Sequence, residues 1–155
     1  MKLGLITAIC EGMTFEEVVD FAAENGLECL EVACWPQGGA QRRYAGVSHI
    51  DVANLDEEKA NDIKNLCAKK GVEISALAYY PNTLDPDLEK RQSYIAHLYK
   101  LIDASAMLDV NMITTFIGRV PTKNFSENLE IVKEVWPPIL EYAQKKGVKV
   151  AIENC

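Results

Sequence analysis

No two of the five cysteines (Cys10, Cys29, Cys34, Cys67 and Cys155) form a CxxC pair, and their number is odd. That argues against a zinc cluster or a disulfide framework. Reduced thiols of a cytoplasmic protein, several of them in the core, are expected instead. No apolar run approaches the ~20 residues that cross a bilayer. The start, Met1-Lys2-Leu3-Gly4, runs directly into a strand pattern and lacks a signal peptide's cleavage site. No GxGxxG follows the first strand pattern and no GxxxxGK(S/T) occurs anywhere, so nucleotide-binding doubly wound folds lose weight. Basic residues are in deficit, 16 against 23 acidic ones, for a net charge of −7. A broad surface for nucleic acid or anionic membrane is therefore not expected as a partner site, although a local basic pocket is compatible with that balance.

What is present is an ordinary globular composition, 48% hydrophobic and 25% charged, over 155 residues. That length has room for one domain with a real core. A repeat organises it. Gly26, Gly71 and Gly147 each follow a helical pattern and precede a strand pattern, and Asp109 fills the same slot between the last two. Glycine takes the left-handed conformation at a helix end without cost, and Asp tolerates it better than most residues. The spacing, about 40 residues, is one strand–helix unit with generous loops.

The strands are expected over 2–9, 27–34, 72–79, 111–117 and from 148 onward. The last is the apolar run Val148-Lys149-Val150-Ala151-Ile152, which delivers Glu153 and Asn154. The first helix should start at Thr14, with Glu17 completing a capping box, and bury Phe15, Val18, Val19 and Ala22. Further helices are expected over 56–70, 87–108 and 126–146. Pro137-Pro138 predicts a kink or two helices in the last. The order β-α-β-α-β-α-β-α-β implies a parallel sheet, either doubly wound or part of a (β/α)8 barrel. Five strands do not close a barrel that uses eight, so the expectation is a partial barrel with an open inner face and two open edges.

Specific residues carry a resemblance. They are Gly26-Leu27-Glu28-Cys29-Leu30-Glu31-Val32, then His97 with Ile102-Asp103-Ala104 and Leu108, then Gly118, and last Ala151-Ile152-Glu153-Asn154. Together they resemble the sugar phosphate isomerase/epimerase family, of the xylose isomerase-like (β/α)8 superfamily that also contains endonuclease IV. The likeness covers essentially the whole chain and the first half of the family's barrel. It implies an α/β fold, a parallel (βα)4β half of a TIM barrel forming one domain over 1–155.

The resemblance implies chemistry as well. In that family the glutamate ending strand 5, here Glu153, ligates a divalent cation: manganese, magnesium, cobalt or zinc. The other ligands, an acid, a histidine and a second glutamate, come from strands 6 to 8, so this half alone should hold metal poorly. The family's isomerisation or epimerisation removes a proton next to a carbonyl of a sugar or sugar phosphate, with metal stabilising the enediolate and a carboxylate moving the proton. Glu153 would be a ligand and a shared acid/base. In endonuclease IV-like members a zinc-binding histidine stands where this chain has Ala76, and strand 4 ends His-x-Gly where this chain has Phe116-Ile117-Gly118. Both differences argue against DNA repair.

Other candidates rest on the residues themselves. Glu31 lies within a strand among apolar neighbours; it is either a hydrogen-bonded structural carboxylate or a substrate contact at the barrel mouth. Trp35 follows strand 2 and either stacks on the C–H face of a sugar or anchors the rim. Tyr79, Tyr80 and Asn82 end strand 3 at the mouth, and Tyr79 is the substrate-binding candidate among them. His49 could reach a hydroxyl or phosphate, although an ordinary loop histidine is the simpler reading. Arg42 and Arg43 could grip a phosphate bidentately, but a solvated basic pair is simpler. His97 is expected to pack within a helix rather than to ligate. Two functions follow: a metal-dependent sugar isomerase/epimerase, incomplete in this half, or an inert half-barrel module that forms a homodimer or pairs with a complementing C-terminal half.

Overall fold

The computed structural model describes residues 1–37 and 46–153. Five strands form one sheet in the order β1-β2-β3-β4-β5, all parallel. They are β1 Gly4–Ile6, β2 Cys29–Ala33, β3 Glu73–Ala78, β4 Met112–Thr115 and β5 Lys149–Ile152. Four helices connect them: α1 Phe15–Glu24, α2 Glu57–Lys70, α3 Leu88–Met107 and α4 Phe125–Lys145. This is four strand–helix units and a fifth strand, half of the (β/α)8 pattern. No helix among the described residues is long and apolar enough to cross a membrane.

Local chemistry sets the boundaries. Thr14 and Glu17 form the expected capping box, Glu17 N–H donating to Thr14 Oγ1 at 3.2 Å and Thr14 N–H to Glu17 Oε2 at 2.7 Å. Asp56, Asp87 and Asn124 cap the other three helices through their side-chain oxygens. Gly26, Gly71 and Gly147 have φ near +70°, and Asp109 has φ 58°, so the fourth stop works with a non-glycine residue as its sequence slot implied.

Two expectations are corrected. β1 ends at Ile6, and Thr7–Ile9 turn as a 3-10 helix. The buried Thr7 hydroxyl accepts the Ala33 N–H at 2.9 Å, which joins the end of β1 to the end of β2 and turns the chain there. The last helix is not divided: α4 runs through Pro137 and Pro138 without interruption. Lys133 and Glu134, whose carbonyls lose their partners to the prolines, are exposed, so water can satisfy them. Trp136 and Ile139, buried on either side, hold the helix on the sheet.

The core lies between the sheet and the helices. Leu30, Val32, Leu77, Tyr79 and Ile113 point to the helix side, where they meet Val18, Val19, Leu98, Leu101, Ile102 and Ile139. Burying each such aliphatic side chain contributes about 1.5–3 kcal/mol. Strand side chains alternate, so the intervening residues, among them Glu31 and Thr114, occupy the other face, which no helix covers.

Two contacts fix the edge where the strands end. His97 of α3 is buried, with Nε2 2.8 Å from the Cys34 carbonyl just past β2, which assigns the ring proton to Nε2. In the next loops, Asn82 Oδ1 accepts the N–H groups of Leu84 at 3.2 Å and Arg119 at 2.9 Å, while its amide donates to the Arg119 carbonyl. Gly118 fits against Asn82 with φ +80°; a Cβ there would lie 2.0 Å from Asn82 Oδ1.

The substitution Gly118→Ala should therefore cost about 1–3 kcal/mol, from strain and a displaced Asn82. A urea titration against the parent protein measures this, and an unchanged midpoint would contradict the clamp. A pH effect is also expected. Burial lowers the proton affinity of His97, more than the Cys34 carbonyl restores it, and burial likewise lowers that of His49. Below the ordinary value of 6.5 the unfolded chain takes up protons that the folded chain refuses. Stability should then fall as pH drops from about 7 to 5.5, above the range where the capping carboxylates titrate, and the fall should be shallower in His97→Asn. Equal slopes in denaturation series of the two proteins would contradict this assignment.

Candidate active site on the open sheet face

The uncovered face of the sheet carries a polar cluster toward its C-terminal end. Glu31 on β2 stands just after the single register shift in the β2–β3 ladder, between Leu30 and Glu31. Its Oε1 accepts two hydroxyl hydrogen bonds, one from Tyr80, two residues past β3, and one from Thr114 of β4 at 2.9 Å. Three strands thus converge on one carboxylate oxygen. Such a cluster answers the cost of placing a carboxylate among apolar neighbours.

Glu153 follows β5 and continues its ladder, its N–H donating to the Thr115 carbonyl at 3.0 Å. Thr114 pairs with Ala151, so Glu153, two residues further, returns to the face that carries Glu31. The two carboxylates share a cavity of ≈380 Å³ lined by Gly4, Leu5, Ile6, Cys29, Glu31, Ser75 and Glu153. That volume is in the range of small-ligand pockets. Gly4 lets β1 approach β2 at its floor, since a Cβ there would lie 2.2 Å from the Cys29 carbonyl oxygen. The Tyr80 hydroxyl holds its proton well above the ordinary tyrosine range, first through burial and then through the bond to Glu31, with Glu153 adding to the effect. Tyr80 is therefore a donor at any physiological pH.

The remaining candidates are placed elsewhere. Tyr79 is 1% exposed and lies on the helix side, with its ring between Trp35 (centroids 4.9 Å apart) and His97 (4.6 Å). It points away from the face where a substrate contact had been expected, because strand alternation sends Tyr79 and Tyr80 to opposite sides. Trp35 is half-buried and packs edge-on against Tyr79, a rim anchor. His49 is half-buried in the loop after β2, its N–H bonded to the Ala33 carbonyl at 2.9 Å, and its ring does not line the cavity. His97 is a packed residue, as read from the sequence. Asn82 binds loop backbone rather than facing the mouth. Arg42, Arg43 and Asn154 lie outside the described residues. Sequence reasoning passed over Thr114 and preferred Tyr79 to Tyr80. Counting alternation forward from the core residues Leu77 on β3 and Ile113 on β4 would have found both.

Among the described residues no three His, Cys, Asp or Glu side chains are grouped to hold a metal ion. Glu153 and Glu31 are oxygen donors of the kind a hard divalent cation takes, but they supply only part of a coordination shell.

Comparison with known proteins places this geometry. The uncharacterized protein YfiH of Bacillus subtilis is 28% identical over 149 residues, which is 91% of this chain and 44% of that protein. The solved D-psicose 3-epimerase of Clostridium cellulolyticum H10, with D-tagatose, matches at TM-score 0.70 and 18% identity, over 98% of this chain and 52% of that one. IOLI protein, solved with a binding zinc atom, matches at TM-score 0.68 and 14% identity, over 98% and 51%. The chain thus spans about half the length of the relatives it matches. At these identities the solved structures support the fold alone. The family model described as xylose isomerase-like TIM barrel matches residues 19–155, and with nearly all of the sheet inside that match the chain belongs to the xylose isomerase-like TIM barrel family.

Proposed function

We propose that this chain is the N-terminal half of a divalent-metal-dependent sugar or sugar-phosphate isomerase or epimerase, with its site at the C-terminal edge of the sheet. The observation that carries the reading is Glu153: a carboxylate at the end of β5, on the open face, sharing a cavity with Glu31. In parallel barrels that edge is where catalytic groups collect. The solved structures that share this fold include an epimerase and a protein with a bound zinc atom, and the reading extends that chemistry to this chain. Glu153 would be one ligand, with the others supplied by strands that follow β5 in a complete barrel. The metal, when bound, would stabilise negative charge on a substrate carbonyl oxygen. Glu153 can hold or pass a proton beside that carbon, and Glu31 accepts a substrate hydroxyl while Tyr80 and Thr114 hold it in place. Manganese titrated into isotope-labelled protein should broaden the amides around Glu153 with a dissociation constant of about 1 mM or weaker, as one or two carboxylates allow. Glu153→Gln should abolish that local broadening. Broadening spread over surface carboxylates, and unchanged in the variant, would contradict the ligand assignment.

A second reading concerns assembly. Both edge strands carry or adjoin exposed apolar residues, Leu3 beside β1 at 65% and Ile152 on β5 at 42%. They mark where the chain would meet the rest of a barrel. Two copies would bring ten strands together, whereas closure of this barrel uses eight. A complementing half is therefore a better partner than a second copy. Size exclusion with light scattering should find no discrete dimer, and a stable homodimer would contradict this choice of partner.

A further inference from the structure

The β2–β3 ladder shifts register between Leu30 and Glu31, so the place of Glu31 is set by the pairing that follows it, at the end of the strand. Three contacts secure that end. The Ala33 N–H donates to Thr7 Oγ1 at 2.9 Å, the Cys34 N–H donates to the Ala78 carbonyl at 2.9 Å, and the Cys34 carbonyl accepts from His97 Nε2 at 2.8 Å. His97 comes from α3, on the covered side of the sheet, and is buried. Among the described residues the Cys34 carbonyl has no other hydrogen-bond donor.

The same ring reaches the second segment of the cluster. It packs against Tyr79 with centroids 4.6 Å apart and an interplanar angle of 68°. Tyr79 immediately precedes Tyr80, whose hydroxyl donates to Glu31 on the open face. One side chain behind the sheet thus touches the chain just past β2 and just past β3, and those two stretches meet in front through Glu31 and Tyr80. The two contacts differ in kind. A buried carbonyl that loses its donor must shift until it finds another or reaches water. An edge-on ring contact can be supplied by another ring of similar size. The hydrogen bond to Cys34 is therefore the contact that sets position.

We propose that His97 is a positioning residue for the candidate active site: by holding the Cys34 carbonyl from the helix side, it sets how Glu31 meets the Tyr80 hydroxyl on the open face. The inference rests on reading the open face as the active site. It assigns to that site a buried histidine that does not line the cavity.

The test uses the whole chain with 13C-labelled tyrosine ring carbons, in mixed light and heavy water and without added metal. A protected Tyr80 hydroxyl then gives resolved protonated and deuterated signals, assigned by their loss in Tyr80→Phe. His97→Gln keeps an N–H donor at nearly the same reach and loses the ring, whereas His97→Phe keeps a ring and loses the donor. In His97→Phe the Tyr80 hydroxyl should exchange about tenfold faster or more, the weight of one buried hydrogen bond, and in His97→Gln exchange should stay within about twofold of the parent. Ile102→Val trims another buried side chain of α3 without touching the Cys34 bond, so it should lower stability and leave Tyr80 protected. The Tyr142 signal, on the outer side of α4, reports that each variant is folded. Equal exchange in His97→Phe and the parent would overturn the inference. So would lost protection in His97→Gln or in Ile102→Val, since either makes the effect one of packing or stability. A Tyr80 hydroxyl unprotected in the parent chain would overturn it as well. Manganese broadening at Glu153 is read on separate aliquots. Its absence sinks the metal ligand and leaves the His97 result in place, and its presence beside an unresponsive Tyr80 sinks this inference alone.

Discussion

Alternation of side chains across a parallel ladder whose strands follow in chain order is the constraint on which the rest of this structure depends. Each helix returns the chain to the same starting edge, so all five strands end together at the other. Along each strand, one set of side chains enters the helix-covered core and the other set does not. Leu30 and Val32 are committed to the core, and that commitment places Glu31 on the open face. Leu77 and Tyr79 do the same for Tyr80. A one-residue slip would exchange the two sets and bury the carboxylate. The hydroxyls of Tyr80 and Thr114 therefore do more than satisfy Glu31: they tie β2, β3 and β4 into one register through a polar contact that only this alignment permits.

Much of this was legible in the residues. The helix-stopping Gly26, Gly71 and Gly147, with Asp109 in the fourth slot, are local signals, and each has the left-handed conformation its position implied. The Thr14–Glu17 box is equally local. What escaped depends on partners far away in sequence. β1 stops at Ile6 because Thr7 meets Ala33, 26 residues on. α4 survives two prolines because its freed carbonyls face solvent while Trp136 and Ile139 are held by the core. Neither fact can be read from a window of neighbouring residues.

The candidate site shows the same division. The place of Glu153 just past β5 was legible because a carboxylate after an apolar strand is a local pattern. The choice between Tyr79 and Tyr80 was not, since both end the same strand and only the face occupied by Leu77 separates them. Trp35 and His97 turned out to serve Tyr79, forming an edge-on aromatic row behind the sheet that stiffens the end of β2. The aromatic row lies on the helix side of the sheet, and Glu31 and Glu153 lie on the open face.

The central claim is that Glu153 is a metal ligand on this face. The most direct measurement is an anomalous difference map from crystals soaked in manganese, grown from the chain assembled with a complementing half barrel. The account predicts a peak within about 2–2.6 Å of a Glu153 carboxylate oxygen, with Glu31 across the same cavity and its Tyr80 and Thr114 bonds intact. A fully occupied manganese site elsewhere in the assembled barrel, with Glu153 turned to solvent, would contradict it.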